Sequence, residues 1–133
     1  MLDVPLTDAT ARWDKVPPKI YTKHRSFLEY HAASGGRWPD EEHAAEYVKA
    51  TKEWLAKCGD VVEEDYLGSD EQLGTLASLA TAEISPVCAV LGGIIGNEVI
   101  KAISGKGTPA NNMLMFDGMD GGCRSFVLQS KSN

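Results

Sequence analysis

SPVCAVLGGIIGNEVIKAIS, residues 85–104, governs how the rest of this 133-residue chain must be arranged. Ser85 followed by Pro86 reads as an N-cap with proline at the first helical position, where the missing N–H costs nothing and the fixed φ suits a helix. Gly105 supplies a left-handed stop, with Lys101 and Lys106 near the negative end of the helix dipole. Between these signals Val87, Cys88, Val90, Leu91, Ile94 and Ile95 cover the helix nearly all round, so it must be enclosed by protein or lipid. Lipid is the weaker fit, because the uninterrupted apolar part ends at Asn97-Glu98, short of the roughly 18–20 residues a membrane span needs. The expectation is a buried central helix.

Glycine in a helix interior costs about 1 kcal/mol relative to alanine, so Gly92, Gly93 and Gly96 need an offsetting gain. Gly92 and Gly96 lie one turn apart, which predicts close approach of another backbone against a flat face. Cys88, Leu91, Gly92, Gly93, Ile95 and Gly96 are the resulting candidates for a packing interface. The competing dinucleotide fingerprint fits poorly. Leu91 stands where its first glycine belongs, and the helix has already begun at Ser85, whereas that motif opens a helix directly after a strand.

Composition bounds the function. The length suits one domain or less, and 43% hydrophobic residues suits a globular core. A net charge of −6 with no basic run argues against a nucleic-acid or anionic-membrane surface. Cys58, Cys88 and Cys123 are odd in number and widely spaced, as expected of reduced thiols in an intracellular compartment rather than a disulfide framework or zinc site. The opening MLDVPLTDATARWDKVPP is polar and proline-bearing, unlike a secretory signal, and a nuclear or cytoplasmic location is expected.

Along the chain, residues 1–18 read as an irregular leading segment because Pro5, Pro17 and Pro18 block a continuous helix. Residues 19–84 read as a helical region. Its first helix runs from Lys19 to Ala33, with Ile20, His24, Phe27, Leu28 and His31 as the inward face and Ser34-Gly35-Gly36 as the stop. His24 and His31 are two turns apart, about 10 Å by helix rise, too far to share a metal. Trp38-Pro39-Asp40 introduces a second helix with the stripe Ala44, Tyr47, Val48, Thr51, Trp54, Leu55 and Cys58. A loop with the acidic cluster Glu63, Glu64 and Asp65 follows. Ser69 and Gln72 then form a capping-box spacing before a third helix whose stripe is Leu73, Leu76, Ala77 and Ala80, expected to lean on the central one. Residues 85–133 hold the central helix and a hairpin of strands Met113–Phe116 and Ser125–Gln129.

No catalytic constellation emerges: there is no phosphate-cradling loop, no nucleophile elbow and no thiol in an electropositive setting. Cys88, among valines and alanine, is expected to be a buried structural cysteine. No residue is assigned to catalysis, cofactor or metal. The physical reading ends at the helix-rich part of an α/β layer structure that lacks the sheet its central helix would cover.

Residues Ser85–Gly122 carry a resemblance. Gly92-Gly93, Asn97-Glu98, Ile100-Lys101-Ala102, Asn111-Asn112 and Phe116-Asp117-Gly118-Met119 resemble the C-terminal region of the small, non-cysteine subunit of SUMO-activating enzymes, with looser similarity from Trp13 to Trp38. The helix alone also fits other ThiF-like proteins, including ubiquitin- and NEDD8-activating enzymes; the Phe-Asp-Gly-Met ending favours SUMO. The resemblance implies an α/β fold, the C-terminal, helix-rich part of a ThiF-like (Rossmann-like) adenylation domain with four helices followed by a hairpin. It implies a regulatory, non-catalytic role in a heterodimer, supporting adenylation and thioester transfer of SUMO by the larger catalytic subunit. ATP and magnesium would be bound by the complete complex and none by this chain. The partners implied are that larger subunit, SUMO through the complex, and the N-terminal half of the small subunit. That half carries the family's nucleotide-site arginine and has no counterpart in this sequence. The alternative is a free-standing helical module that binds a partner helix, with no nucleic acid or membrane as partner in either case.

Overall fold

Pro18 sets the first boundary. Its φ of −56° and ψ of 141° hold the chain extended, and helix α1 runs from there over Lys19–Ala33, the Thr22 amide donating back to the Pro18 carbonyl at 3.1 Å. The helix stops where Gly35 and Gly36 take φ values of 73° and 96°, as the Ser34-Gly35-Gly36 signal predicted. Residues 18–59, 62–63, 65–111 and 113–127 are described in this computed structural model. The leading segment, Asp60, Glu64, Asn112 and the predicted strand end at Gln129 lie outside them.

The face that α1 buries is not the one its hydrophobic pattern predicted. Tyr21, Thr22, Arg25, Ser26 and Tyr30 are buried, whereas His24 is exposed and Ile20, Phe27, Leu28 and His31 are half-buried. Satisfied hydrogen bonds explain the difference, since a buried polar group is costly only when unpaired. The Ser26 and Tyr47 hydroxyls pair at 2.7 Å, and Arg25 donates to the Glu29 carboxylate at 2.5 Å. Phe27 and Tyr30 complete the packing, with ring centroids 5.8 and 5.7 Å from that of Tyr47.

Helix α2 covers Ala44–Lys57 and is introduced by Asp40, whose Oδ1 accepts from the His43 amide at 2.8 Å. That bond, and a second to the His43 ring, hold the Asp40 carboxyl below its ordinary pKa. Tyr47, Thr51 and Leu55, successive turns of one stripe, are buried as predicted. Gly68, at φ 111°, then turns the chain into α3, Asp70–Leu79; a Cβ there would collide with the Gln72 side chain. The predicted capping box is present, the Ser69 amide donating to Gln72 Oε1 at 2.9 Å and the Gln72 amide to Ser69 Oγ at 3.4 Å. Leu73 and Ala77 are buried and α3 packs on α2, with Lys52 and Asp70 ion-paired between them, so the stripe read as leaning on the central helix is used within this first unit. The unit ends at Ala82.

A second unit begins at Glu83. Its helix α4 spans Ser85–Ser104, the range read from the sequence, with Ile84 rather than Ser85 at the cap position and Gly105 at φ 65° closing it. Strands β1, Met113–Phe116, and β2, Cys123–Phe126, pair antiparallel with Met113 opposite Phe126 and Phe116 opposite Cys123. β2 starts two residues before the predicted Ser125. The turn decides this: the Asp117 amide bonds the Gly122 carbonyl at 2.9 Å and the Gly121 amide returns to the Asp117 carbonyl at 2.8 Å, which places Cys123 against Phe116. The described residues thus make a helix-rich α/β fold, four helices followed by a two-stranded hairpin.

Two substitutions test this account of the first unit. Ser69→Ala removes one arm of the capping box and should cost about 1 kcal/mol, while Leu55→Ala at a fully buried position should cost about 2–5 kcal/mol. Urea midpoints at an unchanged m-value give both numbers.

Candidate functional site

The candidate residues all lie on α4, and the structure divides them between two faces. Val87, Leu91, Ile94, Glu98 and Lys101 are half-buried, in alternating steps of four and three that trace one stripe. Among them is Leu91, which therefore belongs to the inner face. Cys88, Gly92 and Gly96 follow one another a turn apart on the opposite side, which Val99 and Ile103 continue. This outer face is bare. Ile100 is 62% exposed and Ile103 82%, and a Cβ added at Gly92, Gly93 or Gly96 would meet no atom within 4 Å. Ile95 lies between the faces, exposed, and edges a groove of about 370 Å³ together with Glu98, Val99, Ala102, Pro109 and Leu114.

Two expectations are corrected here. No residue of α4 is buried, although a buried central helix was expected, and Cys88 is exposed rather than a buried structural thiol. The hairpin has two four-residue strands and covers one stripe of a twenty-residue helix. The close backbone approach expected at Gly92 and Gly96 has no counterpart among the described residues.

By length and composition alone α4 passes for a membrane span, despite the interruption at Asn97-Glu98. Its surroundings fit hydrocarbon poorly. Glu98 accepts the Ala110 amide at 2.6 Å, and Pro109 and Ala110 lie beside Ile95 and Ala102. Irregular backbone at that depth of a spanning helix would be placed against hydrocarbon with its polar groups exposed. Glu98 is the group that sequence reading missed as a structural contact. Its signal was a lone carboxylate in an apolar helix, three residues before Lys101, to which it is paired at 2.7 Å.

Burial pushes the pKa of the half-buried Cys58 thiol up and the Glu29 carboxylate acts in the same direction, which disfavours the nucleophilic thiolate. The His31 ring packs against Trp38, centroids 4.3 Å apart and planes tilted by 39°, while His24 is exposed, and among the described residues no three His, Cys, Asp or Glu side chains gather as metal ligands. A groove of about 680 Å³ between α2 and α3 is floored by Ala44, Val48, Ala56 and Gly74 and carries Lys52 and Asp70 at its rim.

No family model matches the sequence. Individual proteins do. The chain is 38% identical to SUMO-activating enzyme subunit 1B-1 of Arabidopsis thaliana over 113 residues, 82% of this chain and 34% of that protein. It is 45% identical to SUMO-activating enzyme subunit 1 of Danio rerio over 62 residues, 47% of this chain and 18% of the relative. Against subunit 1A of Arabidopsis thaliana, identity reaches 58% over 41 residues, 31% of this chain and 13% of the relative. The chain thus spans about a third, or less, of the length of these curated relatives. These likenesses, mostly to the C-terminal region of the relatives, are to the SUMO-activating enzyme small subunit, the family that Ser85–Gly122 resembles.

Proposed function

We propose that this chain acts in SUMO activation as the C-terminal, non-catalytic part of a small subunit, and that α4 is the element through which it joins the remainder of the enzyme. The observation that carries this reading is the bare outer face of α4, where Ile100 and Ile103 are exposed beside three helix glycines with open space above them. A contiguous apolar face of this kind is an association surface, and about two thirds of the Arabidopsis relative's length lies outside the match and could supply its cover. In the proposed assembly the larger subunit carries out ATP- and magnesium-dependent adenylation of SUMO and takes the thioester, in the nucleus. This chain contributes support to the adenylation fold and no reacting group.

Co-expression tests the reading. With the N-terminal portion of a SUMO-activating enzyme small subunit, the chain should co-elute as a soluble complex on size-exclusion chromatography. That complex should bind the larger subunit and restore ATP-dependent SUMO thioester formation on it. A well-dispersed monomer indifferent to both partners would point instead to the free-standing helix-binding module.

Gly96→Leu separates the roles of the two faces. In the chain alone the added side chain meets open space and leucine is the better helix former, so the unfolding midpoint should not fall. In the complex it should overpack the interface by about 1–3 kcal/mol and weaken co-elution, while Lys106→Ala leaves both unchanged within about 0.5 kcal/mol.

A further inference from the structure

In the second unit a polar contact ties the helix to the chain leading into the hairpin. Glu98 sits on the inner stripe of α4, and both of its carboxylate oxygens are used. Oε1 accepts from Lys101 Nζ at 2.7 Å and Oε2 accepts from the Ala110 backbone amide at 2.6 Å, twelve residues further along. The stem of Lys101 lies alongside the same connection, its Cγ and Cδ 3.8 Å from where a Cβ on Gly107 would sit. β1 begins three residues after Ala110, and two residues into it Met115 is buried. Strand side chains alternate faces with a period of two, so a slip of one residue would present Leu114 and Phe116 where Met113 and Met115 now point. At the other end of the hairpin, contact is apolar: Val87 Cγ2 lies 3.1 Å from a Cβ position on Gly118. Apolar contact is non-directional and tolerates slippage, whereas a carboxylate aimed at one particular amide does not.

We propose that Glu98 is a positioning residue, an ionised clasp on the Ala110 amide that fixes where β1 starts along α4. This does not depend on the functional reading above. Charge matters because a carboxylate accepts an amide hydrogen bond roughly twice as strongly as a neutral oxygen does. The neighbouring Lys101 ammonium and the Ala110 amide together hold the Glu98 carboxyl below the ordinary carboxylate range. A depressed folded-state pKa means that the clasp's contribution is present at neutral pH and is lost as pH falls through that lowered value. In the groove around Glu98, α4 contributes Ile95, Val99 and Ala102, and the connection and β1 contribute Pro109, Ala110, Met113 and Leu114. None of these titrates, and Lys101 is the charged partner on Glu98 itself.

Amide hydrogen exchange on the full chain, expressed as protection factors, tests the clasp. Glu98→Ala should lower protection at least tenfold at Ala110 and across Met113–Phe116, with amides of the first unit unchanged. Glu98→Gln, which retains an acceptor without the charge, should fall between wild type and Glu98→Ala. Lys101→Met, which leaves the carboxylate in place, should lose less than either. Protection at Ala110 in the wild type should decline on acidification, and in Glu98→Gln that acid dependence should vanish. Should Glu98→Ala unfold the second unit as a whole, the Gln variant and its pH profile still decide the matter. Equal Ala110 protection in Glu98→Ala and wild type, or an unaltered acid dependence in Glu98→Gln, would overturn the proposal.

Discussion

A two-stranded hairpin can cover one stripe of a long helix and no more. At roughly 3.3 Å per residue, a four-residue strand is about 13 Å long, and two paired strands are about as wide as a single helix. Helix α4, with twenty residues at 1.5 Å each, is roughly 30 Å long and apolar on most of its circumference. The mismatch is built into the sequence, and no rearrangement of β1 and β2 removes it. Each large aliphatic side chain moved from water into an apolar interface contributes about 1.5–3 kcal/mol, so the outer face of α4 holds association energy that its own unit cannot use.

The first unit solves its own burial problem. At its centre the Ser26 hydroxyl of α1 pairs with the Tyr47 hydroxyl of α2, and within α1 Arg25 pairs with Glu29 one turn on. Burial pushes the Tyr47 phenol pKa up, the Ser26 bond opposing it in part, so the hydroxyl stays protonated and available as a donor across the physiological range. Apolar side chains close the unit around this pair, with Leu55, Leu73 and Ala77 from the helices and Val62 and Leu67 from the α2–α3 connection all buried. The two units therefore differ in kind, one finished internally and one with a face still to be covered.

What the sequence made legible were features that a few adjacent residues decide. Pro18 and Gly35-Gly36 bracket α1, Pro86 and Gly105 bracket α4, and Ser69 with Gln72 caps α3, because each acts through local backbone geometry. The inward face of α1 was not legible. Hydrophobicity ranks Thr22, Arg25 and Ser26 as outward-facing, and only their partners, Glu29 for one and Tyr47 on another helix for another, reverse that ranking. The start of β2 was hidden for a related reason, since the turn bonds between Asp117 and Gly121-Gly122 set the register rather than the composition of the strand. On α4 the structure divides the candidate interface residues, Leu91 falling on the inner stripe. Periodicity alone cannot assign sides to a helix that is apolar nearly all round.

The outer face of α4 also constrains the shape of whatever covers it. Up to Gly96 the outer face carries the small residues Cys88, Ala89, Gly92 and Gly96, flanked by the exposed side chains of Val90 and Ile95, and beyond Gly96 it carries the branched side chains of Val99, Ile100 and Ile103. A partner must approach the axis more closely at the first half than at the second. Acyl chains conform to any profile and give a lone helix no reason to bear the cost of three interior glycines, about 1 kcal/mol each. A rigid element with its own backbone does give such a reason, because close approach there converts the missing side chains into dense contact. The step from small to large along one face of α4 therefore supports the proposal that a structured protein element covers it.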